Sequence, residues 1–143
     1  MNIAKKLAAV ALIASSLLMG GCGEGKIGAV DVNKVMDEAP RVKTLMEEAQ
    51  GKITEAQNKY EQDRAAKPDM TEEDALKLQN DLQRKLLGIN QGTISQIRSR
   101  MDIVVAEIAQ EKNIDVVINN SDDQRLIFHG AIDITDDVIK KMQ

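Results

Sequence analysis

The sequence is poor in the residue types that most often build chemical sites. Its 143 residues include one cysteine, one histidine, one tyrosine, one phenylalanine and no tryptophan. A single thiol excludes an internal disulfide, and Cys22 has no second cysteine or histidine at the spacing of a zinc site. With so few aromatic side chains, the protein also lacks the stacking surfaces with which proteins bind single-stranded nucleic acid. We therefore expect neither a zinc centre nor nucleic-acid binding.

The sequence pattern also lacks convergent groups for acid–base or nucleophilic catalysis. His129 lies beside Gly130 at a predicted strand end, and the carboxylates are spread along predicted helices without an evident pair. Asp122 and Asp123 lack the alternating ligands and the glycine of a calcium loop, which favours a polar turn. We predict that the protein is not an enzyme and that it has no metal, no cofactor and no small-molecule substrate.

Residues 1–21 have the order of an export signal. Lys5 and Lys6 precede an apolar run at 7–18, and small residues follow it. The run has roughly 12 residues, whereas a membrane-spanning helix needs about 20, so we expect a segment that is removed. The remaining chain, 22–143, keeps all 23 acidic residues and 17 of the 19 basic ones. This acidic balance disfavours binding to nucleic acid or to anionic lipid.

The cysteine lies directly after this signal. The stretch LMGGC at 18–22 is similar to the bacterial lipobox, whose cysteine becomes the first residue and is acylated, although Met19 stands where leucine is usual. Gly23, rather than aspartate, follows Cys22, and in the lipoprotein sorting pattern this favours the outer membrane. The alternative is an ordinary secretory signal with an incidental cysteine at its end. We predict a lipoprotein that is anchored through Cys22.

Two long helices are predicted in the middle of the chain. The apolar positions of the first helix are spaced by three and four residues, as in a coiled-coil seam: Val42, Met46, Ala49, Ile53, Ala56 and Tyr60. Pro68 ends this helix, and Thr71 supplies an N-cap for the second one. The second seam recurs about every 3.67 residues through Ala75, Leu78, Leu82, Leu86, Ile89, Thr93, Ile97, Met101, Val104 and Ile108. A short turn between two apolar stripes predicts an antiparallel hairpin.

Outside the hairpin, short β-branched runs predict strands. They are KIGAVDV at 26–32, IDVVIN at 114–119 and RLIF at 125–128, and a short helix is expected from Thr135. These segments amount to roughly 45 residues, near the size below which a domain seldom buries enough apolar surface to be stable alone. Since the second run is apolar on both faces, we expect self-association to complete the core.

Three of these segments carry a family resemblance. The opening KIGAVDVNKVMDEAP, the returning VVAEIAQEKNIDVVIN and the closing GAIDITDDVIKKM, with the charged hairpin, resemble the Skp (OmpH-like) family of periplasmic chaperones. The resemblance implies a homotrimer whose helical tentacles enclose unfolded outer-membrane proteins. It predicts an α+β fold with a small β-rich oligomerisation body at 22–40 and 113–143. A long antiparallel coiled-coil hairpin at 41–112, the tentacle, is then inserted between strand 1 and strands 2 and 3.

A second apolar stripe lies beside the seam of the second helix. It consists of Leu76, Leu87, Ile94 and Val105, which are spaced 11, 7 and 11 residues apart and fall within roughly 20° of one line at 100° per residue. The stripe either faces the cavity between tentacles and contacts client proteins or widens the packing of the hairpin.

Three glycines are predicted at one height of the hairpin. Gly51 should lie about level with Gly88 and Gly92 if the chain turns near Pro68. Each glycine costs about 1 kcal/mol relative to alanine in a helix interior. They form either a hinge that lets tentacles splay or a site of close packing between helices.

Two functional hypotheses follow. The first is a lipid-anchored, ATP-independent holdase in the periplasm that binds unfolded outer-membrane proteins through many weak apolar contacts. The second is a structural coiled-coil envelope lipoprotein that binds no client. Suppression of the aggregation of an unfolded β-barrel protein distinguishes the two.

We expect Cys22→Ser to give a protein that is exported but released from membranes. Three anchors in one trimer would make detachment of the native protein negligible, because two acyl chains already give stable attachment. Membrane fractionation measures the release. A native protein found without acyl groups by mass spectrometry would contradict the lipobox interpretation.

Overall fold

The computed structural model describes residues 25–143. The predicted signal segment at 1–21 and the predicted lipidation site Cys22 lie outside these residues. The elements in chain order are β1 (Ile27–Val30), α1 (Val32–Glu38), α2 (Pro40–Ala65), α3 (Glu72–Lys112), β2 (Val116–Asn119), a 3-10 turn (Asp122–Gln124), β3 (Ile132–Asp133) and α4 (Thr135–Lys141). The predicted α+β fold, with a helical hairpin between the first and second strands, is confirmed.

The turn between α2 and α3 forms where the sequence predicts it. Helix α2 ends at Ala65, before Pro68, and α3 begins after Thr71. The Thr71 hydroxyl accepts a hydrogen bond from the backbone N–H of Asp74 at 3.2 Å, which satisfies one of the free N–H groups of the first turn. At the other end, Asn113 closes α3 in the left-handed conformation (φ 53°).

The hairpin seam agrees with the prediction on α3 and differs at one position on α2. All ten predicted seam residues of α3 are buried or half-buried. On α2, Met46 is 43% exposed and its neighbour Leu45 is 4% exposed, so the prediction for Met46 is wrong. Steps of three and four residues both continue a helical stripe. Packing against the shared core selects Leu45, which belongs to that core together with Val42.

The strands form one parallel sheet in the order β2-β1-β3. Ile27 pairs with Val116, and Gly28 pairs with Val117 on one side and Ile132 on the other. Parallel neighbours require a long connection between the end of one strand and the start of the next. The hairpin supplies this connection from β1 to β2, so its insertion is part of the topology of the sheet.

The strand predicted at 125–128 is wrong, because the last strand is Ile132–Asp133. In place of a ladder, the side chain of Asn120 binds this segment. Its Oδ1 accepts from the backbone N–H of Leu126 at 2.9 Å and of Ile127 at 2.8 Å, and its Nδ2 donates to the Ile127 carbonyl at 3.0 Å. Backbone groups satisfied by a side chain have no need of a neighbouring strand.

A polar network ties the carboxyl ends of the strands together. The hydroxyl of Thr135 accepts from the N–H of Asp31 at 2.9 Å, and the hydroxyl of Ser121 donates to Asn119 Oδ1 at 2.7 Å. The Asp31 carboxylate caps α1 by accepting from the N–H of Lys34 at 3.1 Å. This hydrogen bond holds the pKa of Asp31 below its ordinary value. The cap therefore stays ionised under neutral conditions.

The main apolar core lies where the body meets the base of the hairpin. It includes Val35, Ile134, Val138 and Met142 from the body and Val42, Leu45, Ile97, Val104 and Ile108 from α2 and α3. Neither part therefore has a complete core of its own.

We expect Ile108→Ala to lower the free energy of unfolding by about 2–5 kcal/mol, the usual cost of emptying a buried aliphatic site. Ile108 is 1% exposed, whereas Ile103 on the same helix is 51% exposed. Ile103→Ala is thus a matched control, which should lower the free energy of unfolding by much less than Ile108→Ala. Chemical denaturation of both variants measures the difference, and equal costs would place the core elsewhere.

Candidate functional site

The predicted stripe on α3 is largely accessible to solvent. Leu76, Leu87 and Ile94 are 54%, 59% and 52% exposed. Val105, nearer the body, is half-buried and packs on the core. The structure thus places three of the four residues on the hairpin surface and the fourth at the edge of the core.

The hairpin has two chemically different flanks, and the stripe lies on one of them. The other flank contains an open groove of about 400 Å³, lined by Glu48 and Lys52 of α2 and by Lys85, Gly88, Gly92 and Gln96 of α3, among others. At 100° per residue, Ile94 lies about 160° around α3 from Gly92. One flank is therefore lined by charges and glycines, and the opposite flank carries the stripe.

Met46 extends the stripe onto α2. It lies about 160° around α2 from Glu48, which places it on the flank opposite the groove. Its neighbour Leu45 lines a surface depression with Ser95 and Gln96, so Met46 is close to the height of Ile94. The alternative seam Val42-Leu45-Ala49, with steps of three and four residues, is the sequence signal that leaves Met46 outside the seam.

No charged side chain occurs in the part of α3 that carries the centre of the stripe. Residues 86–97 are uncharged, and Lys85 and Arg98 bound them. Exposed aliphatic side chains here stand among asparagine, glutamine, serine and glycine. A surface of this kind can contact apolar segments without desolvating a charge, which is the costly step in most contacts.

The three predicted hinge glycines do not all line the same groove. Gly88 and Gly92 line the groove, whereas Gly51 lines a separate depression with Thr54 and Asn58. A Cβ added at any of the three would meet nothing within 4 Å. Close packing between α2 and α3 therefore does not require a glycine at these positions.

His129, Asp122 and Asp123 lie in surface loops or turns, and both aspartates pair with neighbouring side chains. His129 is exposed in the loop before β3. Asp122 forms an ion pair with Arg125, and Asp123 accepts a hydrogen bond from Asn33 Nδ2 at 2.8 Å. Across residues 25–143, no three side chains of the kinds that ligate metals come together. Within that same range, every helix is too short or too polar to cross a membrane.

Comparison with known families gives a match over most of the chain. Residues 26–142 match the family described as Outer membrane protein (OmpH-like). The matched range covers β1, the whole hairpin and the elements that follow it. No curated protein matches the chain significantly.

We expect Gly51, Gly88 and Gly92, all changed to alanine, to raise the melting temperature. The gain in helix propensity is at most about 3 kcal/mol per chain, and the open space at each site admits the added methyl groups. If the glycines act as a hinge, the same variant should hold a narrower range of client sizes. Calorimetry and aggregation assays with clients of different length measure both effects. A lower melting temperature would contradict the gain from helix propensity, and an unchanged client range would contradict the hinge.

Proposed function

We propose a chaperone function for this chain, which belongs to the OmpH-like (Skp) family. Proteins of this family are periplasmic and act as chaperones of outer-membrane proteins, not as enzymes. For this chain we infer an ATP-independent holdase. It binds unfolded outer-membrane proteins in the periplasm and prevents their aggregation.

The observation that carries the proposal is the exposed apolar flank of the hairpin. Leaving a leucine or isoleucine in water forgoes roughly 1.5–3 kcal/mol relative to burying it. Leu76, Leu87, Ile94 and Met46 are kept in this state on a long helical hairpin. Unfolded chains expose scattered apolar segments, which such side chains can contact one by one. Several weak contacts add to a firm hold while each remains quickly reversible.

Self-association is supported by apolar surface that one chain leaves open on its body. Ile27 and Val116 lie side by side in the sheet and are 43% and 54% exposed. In the loop before β3, Leu126 and Phe128 are 71% and 86% exposed. We infer that other copies of the chain cover this surface in a homotrimer, the assembly that is general in the family. A mass in solution three times that of one chain tests this.

The lipid anchor belongs to the same proposal. The N–H of Lys26 donates to Asp115 Oδ2 at 2.8 Å, and its carbonyl accepts from the Asp115 N–H at 2.9 Å, so Lys26 is bound to the body by two hydrogen bonds. Gly-Glu-Gly at 23–25 separates Lys26 from Cys22. This spacer reaches about 10–14 Å when extended. An acylated Cys22 would hold the body close to the bilayer, and we propose the outer membrane as its location.

A structural envelope lipoprotein is the alternative function. A coiled coil that only separates two layers needs a hydrophilic surface and has no use for exposed leucines. The aggregation assay distinguishes the two functions: a holdase suppresses the aggregation of an unfolded β-barrel protein at stoichiometric ratio, and a spacer does not.

We expect the triple variant Leu76→Gln, Leu87→Gln and Ile94→Gln to keep its fold and oligomeric state but to protect an unfolded client several-fold less well. Glutamine is a good helix former, and each of the three residues is more than half exposed in the hairpin. Thermal unfolding and aggregation suppression are measured on the same sample. A fall in stability by several kcal/mol would assign the stripe to the core instead.

A matched single pair sharpens this experiment. Ile94 and Ile103 are 52% and 51% exposed on the same helix. They lie nine residues apart, which places them on opposite sides of α3 at 100° per residue. Ile94→Gln should weaken client protection and Ile103→Gln should not. Equal effects would mean that any exposed apolar residue suffices, and the flank would lose its special role.

A further inference from the structure

The start of α2 has an unusual cap. A single residue, Ala39, separates the end of α1 from the start of α2, so Ala39 is both the C-cap of α1 and the N-cap of α2. Ala39 has no side chain that can cap a helix, and Pro40 follows it as the first helical residue. The N–H of Arg41 donates instead to the backbone carbonyl of Met142, at 3.1 Å. The end of α4 therefore caps the first helix of the hairpin.

The adjacent carbonyl binds the second helix of the hairpin. Arg100 Nη2 on α3 donates to the carbonyl oxygen of Lys141 at 3.4 Å. Two consecutive carbonyls, of Lys141 and Met142, thus receive one hydrogen bond from each helix. A small movement of this segment changes the contacts of both helices together.

The side chains of Lys141 and Met142 also bind this segment to the rest of the protein. The Lys141 ammonium lies 2.6 Å from Glu111 Oε1 and 3.1 Å from Glu107 Oε2, both on α3. These carboxylates raise the pKa of Lys141 above its ordinary value. The Met142 side chain is fully buried in the core that body and hairpin share. One ion-paired residue and one buried residue therefore hold the two carbonyls in place.

We propose that Lys141 and Met142 act as a clasp that fixes the angle of the hairpin on the body, and that opening the clasp lets the hairpin swing as one unit. The hairpin joins the body at two points, Ala39 before α2 and Asn113 after α3, and it turns about these two points. This motion differs from bending at the glycines, because α2 and α3 keep their mutual packing. Swinging hairpins would change the space between tentacles. The effect of this change on clients rests on the proposed holdase function.

Spin-label distance measurements on the mature chain test the clasp without a client. In a Cys22→Ser background, labels at Asp37→Cys on α1 and Asp69→Cys in the hairpin loop report the angle. Both positions are exposed. A second pair, Lys52→Cys on α2 and Asn80→Cys on α3, reports the packing of the two helices within the hairpin, and both positions are exposed. Labelled chains are diluted with unlabelled ones so that distances within one chain are read.

Two variants open the clasp in different ways. Deleting Met142 and Gln143 removes the buried anchor and the cap, and deleting Gln143 alone is its control. Arg100→Gln with Lys141→Gln loosens the clasp from the surface and leaves Met142 in the core. Its control is Arg98→Gln with Lys140→Gln, which neutralises neighbouring cations that form no ion pair among residues 25–143.

We expect both clasp variants to widen the body-to-loop distance distribution about twofold, to leave the distribution within the hairpin unchanged, and to raise hydrogen exchange at the Arg41 amide about fivefold, the scale of a lost N-cap. Both controls should match the parent. A body-to-loop distribution that stays narrow while the Arg41 amide exchanges faster overturns the proposal. Widening within the hairpin also overturns it, since the hairpin would then fray. If the deletion variant fails to fold, the surface variant decides alone.

Discussion

The core shared by the body and the hairpin base is the constraint on which the rest of the fold depends. Three strands of two to four residues and two helices of seven residues cannot enclose an apolar interior by themselves. The base of the hairpin supplies the missing apolar side chains, so Ile97, Val104 and Ile108 of α3 are as fully buried as Val35 and Ile134 of the body. Hairpin and body are therefore expected to unfold together.

This arrangement divides the hairpin into two chemically different parts. Near the body the helices are covered on several sides, and their apolar residues contribute to stability. Farther out, only the seam between α2 and α3 is covered, and apolar residues on the flank remain in contact with water. A protein that keeps leucine, isoleucine and methionine there gives up part of the stability that their burial would supply. Client binding is the physical reason we offer for this exposure.

The same constraint explains why an opening at the hairpin base has consequences. The segment that closes the core, Lys141 and Met142, also carries the two carbonyls that bind α2 and α3. In the clasp that we propose, the stability of the body and the orientation of the hairpin are coupled through these two residues. Local opening of such a segment can occur well below the free energy of global unfolding.

The sequence by itself determined the long elements. The seam of α3 extends over many turns, so its period remains recognisable even if one position deviates from it. Pro68 and Thr71 mark the turn because both act through local backbone geometry. The family resemblance, carried by segments at both ends of the hairpin, rests on the sequence as well.

Only the tertiary structure decided the choices between neighbouring residues. Leu45 and Met46 fit the period of α2 equally well, and contact with the shared core selected Leu45. The β-branched run at 125–128 has the local character of a strand, yet Asn120 satisfies its backbone and Ile132 pairs with Gly28 instead. Strand pairing and the clasp join residues far apart in the chain, and no local pattern encodes which distant partner will be present.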